Sequence, residues 1–116
     1  MTARETGLAC EALACQHLQN KGYCLLARNY RSGPHEIDLV MRDGDTTVFV
    51  EVKARSSTAY GRPAEFVTAS KRRFLRQAAE AYLVERGLYE QPARFDVVEV
   101  YLPKKDMVHI VNAFDA

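Results

Sequence analysis

The chain has 116 residues, of which 47% are apolar and 27% charged, and its formal net charge at pH 7 is +1. This length corresponds to one domain, and the balance excludes a disordered chain. No stretch approaches the roughly 18 apolar residues that a membrane span needs, and no apolar run follows the basic residue near the N-terminus, so we expect neither a membrane protein nor a secreted one. A chain so close to neutrality can contact phosphates only through local clusters of basic residues.

The first half of the chain predicts one helix and three strands. The helix runs from about Ala3 to Lys21 and is ended by Gly22. Short apolar or alternating segments then predict strands, with a hairpin turn at Asp43-Gly44 between the second and the third. These three strands cover Tyr23–Tyr30, Glu36–Arg42 and Thr46–Arg55.

The second half predicts a long loop, one helix and two strands. The polar loop extends from Arg55 to about Val67, and loops of this length inside a compact domain are often functional. Apolar residues at helical spacing (Phe74, Leu75, Ala78, Ala79, Tyr82 and Leu83) predict a helix over Thr68–Arg86. Strands follow over Arg94–Leu102 and Met107–Val111.

The resulting order is α-β-β-β-α-β-β. A strand, a helix and another strand in succession favour a right-handed parallel crossover. We therefore predict an α/β fold, with one domain over residues 1–116 in which helices flank a mixed central sheet.

Cysteines and histidines are few and scattered. The three cysteines include no Cys-x-x-Cys pair, and their odd number without an export signal indicates reduced thiols in a cytoplasmic protein. The three histidines lack zinc-ligand spacing. We expect neither a disulfide bond nor a structural zinc site.

The charged residues of the predicted hairpin carry the clearest functional signal. Side chains alternate along a strand, so Glu51 and Lys53 share a face of the sheet. A two-residue turn at Asp43-Gly44 makes Asp38 a diagonal neighbour of Glu51, whereas a four-residue turn places Asp38 directly opposite Glu51. Either turn brings both carboxylates and Lys53 to one face, and an odd-length turn without a bulge separates them.

The other side of this hairpin is predicted to be apolar, because Ile37, Leu39 and Met41 alternate with the acidic residues. Phe49 and Val40 partly cover the carboxylate side, and clustered carboxylates are costly to desolvate without a proton or a cation. Carboxylate oxygens suit Mg²⁺ or Mn²⁺. The alternative interpretation is a solvated sheet face with an ordinary Glu–Lys pair.

A third acid, Glu11, lies within the predicted apolar stripe of the first helix. That stripe consists of Gly7, Leu8, Ala14, Cys15 and Leu18. A carboxylate in such a stripe needs a partner or a function. The sequence leaves open whether Glu11 pairs with an arginine, such as Arg28 or Arg31, or faces the hairpin.

Basic residues cluster at the start of the second helix and around the loop before it. They are Lys71, Arg72, Arg73 and Arg76 on the helix, and Arg55 and Arg62 beside the loop. This cluster predicts an edge that contacts nucleic-acid phosphates. The alternative is a solvated helix face.

Asp38, twelve intervening residues and Glu51-Val52-Lys53 resemble the PD-(D/E)xK nuclease motif. The wider chain resembles the YraN family of bacterial proteins, which are similar to restriction-endonuclease-like and Holliday-junction-resolvase-like domains. The matching stretches are Gly7-Leu8-Ala9-Cys10-Glu11, Ala27-Arg28-Asn29-Tyr30-Arg31, Glu36-Ile37-Asp38-Leu39, Val48-Phe49-Val50-Glu51-Val52-Lys53-Ala54-Arg55, Lys71-Arg72-Arg73 and Arg94-Phe95-Asp96-Val97-Val98.

The resemblance implies a restriction-endonuclease-like domain that hydrolyses DNA phosphodiester bonds with Mg²⁺ or Mn²⁺, with structured or branched DNA among its substrates. Asp38 and Glu51 would hold the metal, Glu11 would complete the metal shell, and Glu36 is a less certain outer ligand. Lys53 would orient the attacking water or stabilise charge in the transition state. By analogy with resolvases, a homodimer is expected.

Two positions depart from the family pattern. Cys10 and His35 stand where that pattern has glycine, although every charged position of the motif is present. Two alternatives therefore stay open beside the nuclease. One is a nucleic-acid-binding module with a degenerate site, and the other is a protein-interaction subunit that uses the sheet edge.

Overall fold

The computed structural model describes residues 1–56 and 67–114. Two helices and five strands follow one another in the predicted order, with boundaries within a few residues of those expected. The elements are α1 (Ala3–Asn20), β1 (Cys24–Ser32), β2 (His35–Asp43), β3 (Thr46–Ser56), α2 (Ala69–Arg86), β4 (Ala93–Leu102) and β5 (Asp106–Phe114).

All five strands form one mixed sheet in the order β1-β2-β3-β4-β5. Neighbouring strands are antiparallel except β3 and β4, which are parallel and have α2 between them in the chain. This arrangement confirms the predicted mixed α/β fold. Within the described residues, no helix is long and apolar enough to cross a bilayer.

Local signals define the ends of both helices. Thr2 caps α1 in a capping box, in which its hydroxyl accepts the Glu5 N–H and the Glu5 carboxylate accepts the Thr2 N–H. Thr68 caps α2 by accepting the backbone N–H of Lys71. Gly87 ends α2 with φ +68°, a conformation that glycine adopts without steric cost.

Helix α1 packs on one face of the sheet, over Leu39, Met41, Val48 and Val50. Its buried residues are Cys10, Ala14, Cys15 and Leu18. The predicted stripe is therefore wrong at its N-terminal end, because Cys10 is buried while Leu8 is 47% exposed. The rest of the predicted stripe is confirmed by the burial of Ala14, Cys15 and Leu18, and Glu11 is half-buried.

Helix α2 packs on the opposite face, against a cluster that includes Val40, Phe49 and Phe95. Its buried residues are Leu75, Ala78, Ala79 and Tyr82, all from the predicted stripe. Phe74 was expected in the same stripe but is 43% exposed.

The β2–β3 hairpin has one of the two registers that the sequence left open. Asp43 pairs with Thr46, so the turn residues are Gly44 and Asp45 rather than Asp43 and Gly44. Gly44 has φ +62°, and a glycine at the first turn position suits the twist of a hairpin. The pairing ends at Leu39 and Val50, so Asp38 and Glu51 are the first residues beyond it on their strands.

The alternation of side chains in β2 is interrupted at Asp38. Ile37 packs in the α2 cluster with Val40, whereas Leu39 packs in the α1 cluster. The predicted grouping of Ile37 with Leu39 on one face is therefore wrong. The irregularity coincides with Asn29 of β1, which has φ +49° and lies between the paired residues on either side.

Candidate functional site

Asp38 lies where the paired residues of β2 and β3 end. Its Oδ2 atom accepts a hydrogen bond from the backbone N–H of Val52, with an N···O distance of 2.8 Å. The carboxylate therefore takes the place of a carbonyl partner beyond the last paired residues, Leu39 and Val50. This position directs the charge of Asp38 into the gap between the two strands.

Glu51 lies beside Asp38 and is only 8% exposed. Its Oε1 atom is 3.8 Å from the ammonium nitrogen of Lys71, which reaches down from the first turn of α2. Its Oε2 atom is buried and has no hydrogen-bond partner within residues 1–56 and 67–114. A buried carboxylate oxygen without a donor is costly, so Glu51 retains an open position for a proton, a cation or a donor.

Both carboxylates have a raised pKa. Burial raises the pKa of Asp38 to about 7, and the negative charges of Glu51 and Glu11 act in the same direction. Burial also raises the pKa of Glu51, although Lys71 and Lys53 oppose this shift. Raised pKa values at neighbouring carboxylates are typical of functional sites, because the same excess of negative potential attracts metal cations.

Glu11 projects from α1 toward this group and is held there by an asparagine. The side-chain amide of Asn29 donates to Glu11 Oε1 at 2.8 Å and to Glu36 Oε1 at 2.9 Å. Glu11 therefore has neither of the two arginine partners that the sequence suggested. Arg28 contacts Cys15, and Arg31 forms an ion pair with Glu36.

Sequence reasoning assigned no role to Asn29, which links the two flanking acids. One signal could have drawn attention to it, because asparagine is enriched in the left-handed region and is uncommon inside strands. Its φ of +49° turns the amide toward α1 and β2 at once.

Lys53 shares the Glu51 face of β3, as the strand period predicts, and its charge lowers the pKa of Glu51. The side chain is half-buried and forms no hydrogen bond or ion pair with any other described residue. The next basic residue on that face, Arg55, donates to the buried carboxylate of Glu99 at 3.2 Å. Lys53 is thus the strand lysine that stays available to a ligand at the carboxylates.

The predicted nucleic-acid-binding residues are distributed around the start of α2. Lys71 faces Glu51, Arg72 is half-buried, and Arg73 is exposed. Arg62 lies outside the described residues. Lys71 therefore belongs to the carboxylate group, whereas Arg73 faces solvent.

The carboxylates do not form a crowded metal cage. Among residues 1–56 and 67–114, no three His, Cys, Asp or Glu side chains are grouped closely enough to hold a metal ion together. The charge of Glu51 raises the pKa of Asp38, and the unpartnered Oε2 atom belongs to Glu51.

The two departures from the family pattern have distinct environments. Cys10 is buried in the contact between α1 and the sheet, where it packs as a small apolar side chain. The imidazole of His35 stacks on the ring of Phe74, with centroids 4.7 Å apart and an interplanar angle of 15°. The His35 side chain is thus engaged by α2.

Comparison with known proteins identifies the family of this chain. The model of the Uncharacterised protein family UPF0102 matches residues 10–100 of the chain. The chain belongs to the UPF0102 family. This membership confirms the resemblance stated from the sequence motifs.

Relatives within the UPF0102 family cover nearly the whole chain. A UPF0102 protein of Clostridioides difficile is 41% identical, with 98% of this chain and 100% of the relative aligned. A UPF0102 protein of Stutzerimonas stutzeri is 44% identical over 98% of both chains. A third, of Chlorobium chlorochromatii, is 51% identical over 83% of this chain and 74% of its own length.

Proposed function

We propose that this UPF0102 protein is a metal-dependent nuclease that hydrolyses phosphodiester bonds, with DNA as its expected substrate. The observation that carries the proposal is the buried Glu51 carboxylate, whose Oε2 atom lacks a partner within the described residues and which lies beside Asp38. Folding has assembled two carboxylates at a cost in free energy that a bound cation would offset.

Mg²⁺ or Mn²⁺ fits the donor set. Both prefer oxygen ligands and use one or two carboxylates together with water and substrate phosphate, so a cage of three protein ligands is not required. Asp38 and Glu51 would supply these oxygens. Glu11, bound to Asn29 at the edge of the group, remains the proposed third acid. When bound, the metal would supply an activated water and charge neutralisation at the phosphate.

The lysines of the site have separable roles in this proposal. Lys71 balances part of the Glu51 charge from α2. Lys53, on the same strand face as Glu51 but without a fixed partner among the described residues, would stabilise negative charge that develops on the phosphate during hydrolysis. Arg55, Arg62, Arg72 and Arg73 would contact the nucleic-acid backbone and set the register of the substrate.

The second candidate is a nucleic-acid-binding module without catalysis. The observation in its favour is that no three-ligand metal cluster occurs among the described residues. A binder has no use for buried carboxylates that face phosphate, and for this reason the nuclease is the preferred function.

The test compares cleavage and affinity for Lys53→Ala. If Lys53 stabilises charge that appears only in the transition state, its loss should lower the rate of metal-dependent cleavage by about 10²–10³ and should barely alter DNA affinity. Asp38→Asn should also lose activity, but excess Mg²⁺ or Mn²⁺ should partly restore it because a ligand has been removed. Lys105→Ala, in the exposed β4–β5 turn, is the control and should cleave normally.

One outcome would contradict the nuclease proposal, and a second would change the role assigned to Lys53. Wild-type protein that binds DNA and never cleaves branched or linear substrates with either metal is a binding module. Equal losses of rate and affinity in Lys53→Ala would assign Lys53 to ground-state phosphate binding.

A further inference from the structure

An aromatic pair lies on the rim of the carboxylate group. The rings of His35 and Phe74 are nearly parallel, at 15°, with centroids 4.7 Å apart. This pair joins the first residue of β2 to the second turn of α2. Phe74 remains 43% exposed although it is one of the largest apolar side chains of the helix. Part of a flat, apolar surface therefore remains open to a ligand.

The position of this pair relates it to the candidate active site. Phe74 follows Lys71 by three residues, a spacing that places two side chains next to each other on a helix surface. The Lys71 ammonium is in turn 3.8 Å from Glu51 Oε1. On the other element, His35 immediately precedes Glu36, whose carboxylate shares the Asn29 amide with Glu11. Phe74 is thus one helical neighbour away from the lysine that contacts Glu51, while His35 and Glu36 extend from opposite faces of β2.

The charges beside the rings indicate which ligand would cover them. Lys71, Arg72 and Arg73 precede Phe74 without an intervening acid. A flat apolar surface beside three cations complements a polyanion that carries flat apolar groups, which describes a nucleic acid. Lys71 is already 3.8 Å from Glu51, whereas a neutral apolar protein surface would offer Arg72 and Arg73 no opposite charge.

We propose that the His35–Phe74 pair is a stacking platform for an unpaired nucleobase. This inference rests on the proposed function and narrows its substrate class. The bases of a continuous duplex are covered by their neighbours, so the platform can stack only on a base that has left the helix, as in single strands, flaps or junctions. Unpaired nucleic acid, of any base sequence, is therefore the substrate that the site receives.

The test measures binding without metal, so that cleavage plays no part. Affinity is compared in EDTA for a single-stranded oligonucleotide, labelled at one position with 2-aminopurine, and for the matched blunt duplex. Phe74→Leu retains an apolar side chain but removes the ring. We expect it to weaken single-strand binding about tenfold, the usual effect of losing one base–aromatic stack, and to abolish the fluorescence quenching at the stacked position. Duplex affinity should stay within about twofold, since every base pair of a blunt duplex except the two end pairs is covered on both faces.

Two further variants make the result specific. Tyr89→Leu removes a 62% exposed aromatic ring beyond the other end of α2 and should leave both affinities unchanged. Phe74→Trp preserves stacking and should retain the affinity of the wild type, which separates loss of the ring from damage to the fold. Equal weakening on single strand and duplex, or no weakening by Phe74→Leu, would overturn the platform.

The platform and the nuclease can fail separately. If stacking in EDTA depends on Phe74 but no cleavage follows when Mg²⁺ is added, the stacking platform is supported and the nuclease proposal is contradicted. If the protein cleaves blunt duplex as fast as single strand, and Phe74→Leu changes neither rate, the stacking platform is contradicted and the nuclease proposal is supported.

Discussion

At the scale of single residues, the buried Asp96 and the half-buried Asp38 have opposite environments, which distinguish a structural carboxylate from a candidate functional one. Burial alone would raise the pKa of Asp96, but hydrogen bonds from His109, the Asn112 N–H and Arg94 outweigh it and lower that pKa. Asp38 has one backbone donor and a second carboxylate beside it, and its pKa is raised to about 7. Asp96 therefore stabilises the fold in its charged form, whereas the charge of Asp38 destabilises the fold.

The raised pKa of Asp38 predicts how stability depends on pH in the absence of metal. The native carboxyl keeps its proton up to about pH 7, whereas in the unfolded chain it ionises near 3.8, so the stabilisation is complete only below about pH 3.8 and is lost progressively as pH rises from there to about 7. Asp38→Asn retains an acceptor for the Val52 N–H without a charge. It should therefore be more stable than wild type at about pH 8, and this advantage should exceed its advantage at about pH 5 by on the order of 1–3 kcal/mol.

Urea unfolding at the two pH values in EDTA measures this difference. Asp96→Asn is the matched variant, because it removes a carboxylate that is well supplied with donors and should lower stability by several kcal/mol at neutral pH. An Asp38→Asn protein that is less stable than wild type at about pH 8 would show that the carboxylate is a structural group.

At the scale of elements, helix termination follows local backbone requirements. Gly87 ends α2 in the left-handed conformation, and a Cβ added there would meet no atom within 4 Å. Gly7 lies inside α1, also with open space around it and without a positive φ. Gly87 and Gly7 therefore differ in backbone conformation, but at neither position does packing exclude a side chain.

Alanine at these two glycines should change stability in opposite directions. Gly87→Ala forces a side chain into the left-handed region and should destabilise the protein by about 1–2 kcal/mol. Gly7→Ala should stabilise it by about 0.5–1 kcal/mol, because alanine loses less backbone entropy in a helix. Thermal unfolding of both variants checks the pair. If Gly7→Ala lowered the thermal stability instead, α1 would require a residue without a side chain at that position.

At the scale of the whole molecule, basic charge is concentrated where nucleic acid would approach. The chain has a net charge of only +1, yet Lys71, Arg72 and Arg73 precede Phe74 at the start of α2. Nearby, the carboxylates of β2 and β3 lie under Lys71. Binding of a polyanion should therefore depend on this edge rather than on the overall charge.

Salt dependence measures how many cations of this edge contact phosphate. The logarithm of affinity for duplex DNA should fall with the logarithm of salt concentration at a slope of about −0.9 per contact. Combined replacement of Lys71, Arg72 and Arg73 by alanine should make that slope shallower by about two contacts or more. A Lys105→Ala control should retain the wild-type slope. An unchanged slope in the triple variant would assign the three residues to ordinary solvation.

The sequence alone determined the order and type of the elements and the composition of the carboxylate group. Apolar periodicity, Gly22 and the turn signal at Asp43-Gly44 are local signals, and they predicted both helices and all five strands. The period of β3 also predicted that Glu51 and Lys53 share a face, since each strand residue alternates with its neighbours.

Only the tertiary structure decided how these parts meet. Local periodicity cannot select a hairpin register or locate an irregularity, so the turn at Gly44-Asp45 and the reversed face of Ile37 emerged from pairing with β1 and β3. The amide of Asn29 between Glu11 and Glu36 depends on residues far apart in the chain. The unpartnered oxygen of Glu51 also depends on residues far apart in the chain. The burial of that carboxylate is a property of the packed sheet and helices, not of the sequence around it.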